Sequence, residues 1–150
     1  MTRVIAVNQI GGPDVLSQED WPIAAPGPGE VRVRQTAIGL NFIDTYQRSG
    51  LYPMSLPFVA GNEAAGVVEA IGEGVDEVKV GDRVCYQGVA GAYADERIVP
   101  AAKLVPIPDG VDDQTAAALL LKGLTAYYLL FKTWPVQKGE TILWHAAAGG

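Results

Sequence analysis

The chain has 150 residues, 49% of them hydrophobic and 19% charged, which is the composition of a globular chain with a sizeable core rather than a disordered one. Its formal charge is −6 and its 11 basic residues are scattered, so it lacks the patch that neutralises phosphates, and nucleic-acid binding is disfavoured. No apolar run reaches the ~18 residues of a membrane span, and the lone cysteine, Cys85, rules out an internal disulfide and fits a reducing cytoplasm.

Asn8 and Gln9 break the apolar stretch of the N-terminus, which does not read as a signal peptide. Residues 3–9 and 15–21 read as strands around the turn "GGPD". "APGPGE" (25–30) carries prolines without N–H donors and reads as an exposed connection. "EVRVRQTAIG" alternates Val31 and Val33 with Arg32 and Arg34, the period of a strand with one wet face. "NFIDTYQRSG" (41–50) predicts a short helix ended by Gly50, and "LYPMSLPF" (51–58) a loop. "EAAGVVEAIG" (63–72) and "GDRVCYQG" (81–88) predict strands, and "GAYADERIVP" and "KLVPIP" add two short ones.

After residue 110 the texture changes. "DDQTAAALLLKGLTAYYLLFKTW" is Ala/Leu-rich and helical, with Asp112 able to cap its first N–H groups. Gly123 is expected to break it into two helices. "TILWHA" then reads as a buried strand, apolar on both faces as in a parallel sheet. The fold class expected is mainly β with helices (α+β), followed by a helical link and the first strand of a second unit. A strand running into small residues and Gly149–Gly150 is how a dinucleotide-binding turn begins, because glycines admit a pyrophosphate close to the backbone. An ordinary Gly-rich turn would read the same. The helix and the acidic residue of such a unit do not follow, so the ending reads as a truncation.

Five segments, "AIGLNFIDTYQRSGLYP", "GNEAAGVVEAIGEGV", "VGDRV", "LLLKGLTAYYLL" and "GETILWHAAAGG", occur in this order. Together they resemble the quinone oxidoreductase (zeta-crystallin-like) branch of the medium-chain dehydrogenase/reductase superfamily. The resemblance spans essentially the whole chain. It implies a GroES-like catalytic domain over residues 1–125, without the return segment that the family's far C-terminal end contributes. It implies, over 126–150, a linking helix and the first strand of a truncated Rossmann domain. NADPH would lie between the two domains, a small-molecule quinone would be the substrate, and the full-length protein would be a cytoplasmic homodimer. The 150-residue chain alone would be inactive.

Zinc-dependent relatives carry "GHE" where this chain reads Gly61-Asn62-Glu63, and a cysteine where it offers Asn41. Zn²⁺ takes four N, S or O donors, Asn62 is a very poor ligand, and one cysteine cannot build a structural four-cysteine lobe. No metal is therefore expected. Cys85, mid-strand in "RVCYQ", reads as core packing rather than a reactive thiol. His145 reads as a buried structural histidine rather than a catalytic one, since no partner acid is apparent.

Without a metal, hydrogen-bond donors must polarise the acceptor's oxygen as negative charge builds there. The donors in reach are Asn41, Tyr46 and Tyr52. Carried over position by position, the resemblance places Asn41, Phe42, Asp44 and Tyr46 at the nicotinamide end of the cofactor and Tyr52 on the acceptor side. It places Thr125 and Tyr128 beside the nicotinamide, and Gly149 and Gly150 under the pyrophosphate. Each has a plainer reading. Asn41 can be a helix cap, Tyr46 half-buried packing, and Asp44 a solvated helix residue. Tyr127 and Tyr128 can be packing, and Lys122 a solvated charge. Reduction of α,β-unsaturated carbonyls would need the same hydride and donors. A non-catalytic GroES-like module is the remaining alternative.

Overall fold

The computed structural model describes residues 1–147. Strand β1 (Thr2–Val7) pairs antiparallel with β2 (Leu16–Trp21), in register from Thr2 against Trp21 to Val7 against Leu16. Its other edge takes β4 (Phe58–Val59), through Ala6 against Val59 and Val7 against Phe58. The first residue of this short strand, Phe58, is the last of the segment expected to be a loop. Its prolines limit it to two residues, yet β1 needs a partner for its remaining backbone groups.

The larger sheet is antiparallel, in the order β7 (Glu96–Pro100), β3 (Glu30–Ile38), β5 (Glu63–Ile71), β6 (Arg83–Gln87), β8 (Val105–Pro106). Val31 and Val33 of β3 point inward and are fully buried, while Arg34 on the opposite face pairs with Glu69 at 2.7 Å. Val68, Val84, Tyr86 and Val99 complete this core. Burial pushes the Tyr86 phenol up to about 12, so it stays a donor, to Gln35 Oε1 at 2.5 Å. The two sheets are stitched by Ile5 N–H donating to the Tyr93 carbonyl at 2.8 Å and Asp95 N–H to that of Arg3 at 2.9 Å.

Two helices complete the fold. The first, α1 (Phe42–Ser49), ends at Gly50, whose φ of 83° is the left-handed closing position that glycine adopts without strain. The second, α2 (Asp113–Tyr127), starts as expected at Asp112, whose Oδ1 accepts from Thr115 N–H at 2.8 Å. Ala116 and Ala117 bury this first half of α2 against Ala65 and Cys85 of the sheet. The Cys85 thiol is buried and pushed up by desolvation, which agrees with a packing role.

Three expectations fail at the C-terminal end. Gly123 does not break the helix: α2 runs through it to Tyr127, and π-helical turns carry on over Tyr128–Thr133. One glycine costs a helix only about 1 kcal/mol relative to alanine, which the surrounding leucines tolerate. Residues 125 and 126 both lie within this helix. "TILWHA" is not a strand in this structure; residues 141–147 are irregular or turned and exposed. A strand is defined by its ladder, and no neighbour among the described residues offers one. His145 is consequently exposed rather than buried. No helix among the described residues is long and apolar enough to cross a membrane.

Candidate functional site

Three elements converge at the N-terminal end of α1: the helix itself, the first residue of β5, and the middle of α2. Asn41 occupies the N-cap position with extended backbone. Its N–H donates to Asp44 Oδ2 at 2.9 Å, the acidic half of a capping box. The same oxygen accepts from the Tyr93 hydroxyl at 2.9 Å, and Asp44 Oδ1 accepts from Asn62 Nδ2 at 2.7 Å. Asp44 is thus not a solvated helix residue; it is 6% exposed and held by three donors. Burial raises the Tyr93 phenol well above its ordinary value, and the Asp44 charge adds to the rise, so Tyr93 is a fixed donor.

The second layer is charged. Lys122 of α2 donates from Nζ to Asn41 Oδ1 at 3.0 Å and to Glu63 Oε1 at 2.9 Å. Glu63 is fully buried. Lys122 is therefore not simply a solvated charge but the partner of a buried carboxylate, itself 27% exposed, and Asn41 is more than a cap, because its side-chain oxygen is turned to the ammonium. Two glycines make the room. A Cβ on Gly39 would stand 2.2 Å from Glu63 Oε1, and one on Gly61 would stand 2.1 Å from the Tyr93 ring. Two polar atoms of the cluster, Asn41 Nδ2 and Glu63 Oε2, are buried without a partner.

Asn62, where a zinc-dependent relative would have its histidine, donates from its amide nitrogen to Asp44 and, at 3.0 Å, to Gln47 Oε1. An N–H₂ donor engaged in this way is not a cation ligand. Among the described residues no group of three or more His, Cys, Asp or Glu side chains converges to hold a metal ion.

The outer face of α1 is aromatic. Phe42 and Tyr46 lie four residues apart and stack with centroids at 6.4 Å, and Tyr46 meets Tyr52 edge-on at 5.6 Å. These rings are exposed, Phe42 by 76% and Tyr52 by 52%. The structure thus brings Phe42, Tyr46 and Tyr52 together outside and Asn41 and Asp44 together inside, on either side of one helix start. Thr125 follows Lys122 by less than one turn of α2 and returns its hydroxyl to the Leu121 carbonyl at 2.9 Å. It lines, with Lys122, Trp134 and Trp144, a cleft of about 830 Å³. Tyr128 is exposed and forms no ring pair with Tyr46 among the described residues. Gly149 and Gly150 lie outside the described residues.

Glu63, Lys122, Asn62 and Tyr93 were not singled out as site residues from the sequence. Two of them carry a legible signal: Glu63 precedes the apolar run Ala64–Val68 and Lys122 interrupts an apolar helix run, and a carboxylate buried among apolar residues needs a cation.

Residues 27–109 match the alcohol dehydrogenase GroES-like domain. Over its whole length the chain is 56% identical to the quinone oxidoreductase of Pseudomonas aeruginosa, of which it covers 47%. It is 47% identical to the 2-haloacrylate reductase of a Burkholderia species, again covering 47% of that protein. The crystal structure of Escherichia coli quinone oxidoreductase complexed with NADPH superimposes with a TM-score of 0.86 at 47% identity, over 91% of this chain and 42% of that one. The chain spans about half the length of the curated relatives it matches. With the antiparallel sheets and the cap at Asn41 in place, these matches make the chain a member of the alcohol dehydrogenase GroES-like domain family, in the quinone oxidoreductase branch of the medium-chain dehydrogenase/reductases.

Proposed function

We propose that the full-length protein to which this chain belongs is a zinc-independent NADPH:quinone oxidoreductase, and that these residues supply its donor side. The observation that carries the reading is Asn41 Nδ2, a buried donor without a protein acceptor, beside the exposed rings of Phe42, Tyr46 and Tyr52. The similarity to quinone oxidoreductases, one of them solved with NADPH, supports it.

The residues present fit a nicotinamide and a flat acceptor. An unpaired buried N–H costs about 1–3 kcal/mol, which an oxygen acceptor brought to Asn41 would recover. When bound, NADPH supplies the hydride. Asn41 then donates to a carbonyl-type oxygen, and Tyr46 and Tyr52 offer ring faces to a planar acceptor and hydroxyls to its oxygens. Donors already fixed cost no reorganisation as charge builds. Asp44 holds the start of α1, and so the aim of Asn41. Phe42, Thr125 and Tyr128 would border the nicotinamide. In this reading residues 1–125 are the catalytic domain, and 126–150 enter the nucleotide domain, where 141–146 gain a ladder. The full-length protein is a cytoplasmic homodimer.

A second reading is reduction of α,β-unsaturated carbonyls, favoured by the 47% identity to 2-haloacrylate reductase. NADPH oxidation by the full-length protein, followed with 1,4-benzoquinone and with an enone in parallel, separates the two. Quinone-dependent oxidation is expected. Turnover of the enone alone transfers the assignment to the second reading, and neither turnover nor NADPH binding leaves a non-catalytic module.

A further inference from the structure

Lys122 and Glu63 stand outside the donor set above, yet their pairing decides which end of Asn41 is the donor. A lysine ammonium has three donors and no acceptor. With Lys122 Nζ 3.0 Å away, the Asn41 side chain must present its oxygen, since the amide nitrogen there would set donor against donor. Glu63 Oε1 holds the same ammonium at 2.9 Å, and its side chain is 1% exposed. The ammonium cannot swing into solvent without leaving a carboxylate buried and unpaired. Gly39 packs against that carboxylate and blocks its retreat. The Asn41 backbone is fixed separately, by its N–H on Asp44. With backbone and Oδ1 both tied, Nδ2 is left in one orientation, covered and unpartnered.

We infer that Lys122 is a positioning residue: clamped by Glu63, its ammonium sets the Asn41 amide so that the N–H end, not the carbonyl end, meets an acceptor oxygen of the bound ligand. The inference rests on Asn41 being a donor in an NADPH-dependent reductase and adds the group that makes it one. Without the ammonium, only the Asp44 N–H of the capping box is left to hold the amide oxygen, and the flip that turns a carbonyl oxygen toward the ligand's own comes within reach.

The test uses the full-length protein carrying ¹⁵N-asparagine, with the Asn41 side-chain resonance pair assigned by its loss in Asn41→Asp. Wild type is expected to show a resolved pair protected from solvent exchange. Lys122→Met should move the pair toward free-asparagine positions, and Lys122→Arg, which again has only donors, should recover it. The double variant Glu63→Gln/Lys122→Met leaves no buried charge unpaired, so it reports even if Lys122→Met fails to fold, and its pair should move likewise. In parallel kcat/KM for quinone should fall on the order of 10²-fold in Lys122→Met, as for a misaligned reacting group. A pair unmoved in the foldable lysine-free variants overturns the inference. So does a movement spread over the whole backbone spectrum and not recovered by arginine. A wild-type protein inactive on quinones sinks the functional reading alone, because the amide resonances still decide what Lys122 does.

Discussion

The Tyr93 hydroxyl reaches Asp44 Oδ2 at 2.9 Å, and by that bond the segment between β6 and β7 holds the first turn of α1. Removing it in Tyr93→Phe leaves a buried carboxylate oxygen with one donor fewer. The expected loss is about 1.5–3 kcal/mol, the range for hydrogen bonds to a charged group. Urea unfolding of the full-length protein measures it, and an unchanged midpoint would mean that the bond carries no net stability.

Gly39→Ala puts a methyl group 2.2 Å from Glu63 Oε1 and 2.6 Å from its Cδ. The carboxylate has nowhere to go, because Lys122 and the end of β3 enclose it. Overpacking of this kind costs about 1–3 kcal/mol. The same substitution should weaken quinone turnover by displacing the ion pair that orients Asn41, so stability and activity are expected to fall together.

Gly123→Ala should do the opposite. Gly123 sits in the body of α2, and an added Cβ would meet nothing within 4 Å. Alanine restricts the unfolded chain and suits the helix, for a gain of about 0.5–1 kcal/mol. A lower melting temperature in the variant would show that the glycine serves a contact in the full-length protein.

The pH dependence of stability should carry a contribution from Asp113. The Thr36 hydroxyl at 2.5 Å, and then Arg83, hold its carboxyl below the ordinary carboxylate range, against a smaller opposing effect of burial. A depressed carboxylate stabilises the fold above its unfolded pKa of about 3.9 and loses that contribution as pH falls through the lower folded value. Asp113→Asn is therefore expected to be less stable than wild type at pH 7, with the gap closing as the pH drops below about 4. A gap independent of pH would assign the effect to packing.

How much of this was legible depended on whether a residue's role is local. The alternation of Val31 and Val33, the cap at Asp112 and the stop at Gly50 are set by near neighbours, and the structure has them where the sequence implied. The strand Phe58–Val59 was not legible, because it exists only as the partner of β1, some fifty residues away. The same holds at the site. Asn41 and Asp44 share one helix turn and could be picked from the motif. Lys122 is 59 residues from Glu63 and 81 from Asn41, and no periodicity links them. "TILWHA" failed for a related reason: its apolar composition describes what a sheet would bury, not whether a sheet is there to bury it.

Gly39, Asn41, Glu63 and Lys122 constrain one another in a way that reaches past any single molecule. A larger residue at the first displaces the third, a neutral residue at the fourth strands the third, and an acceptor-free residue at the second takes one of the two acceptors from the fourth. Each single change lands in a poorer protein, and only paired changes lead back out. Over generations the four positions should therefore be inherited as a block, and a lineage that loses one should be found to have replaced its neighbours as well.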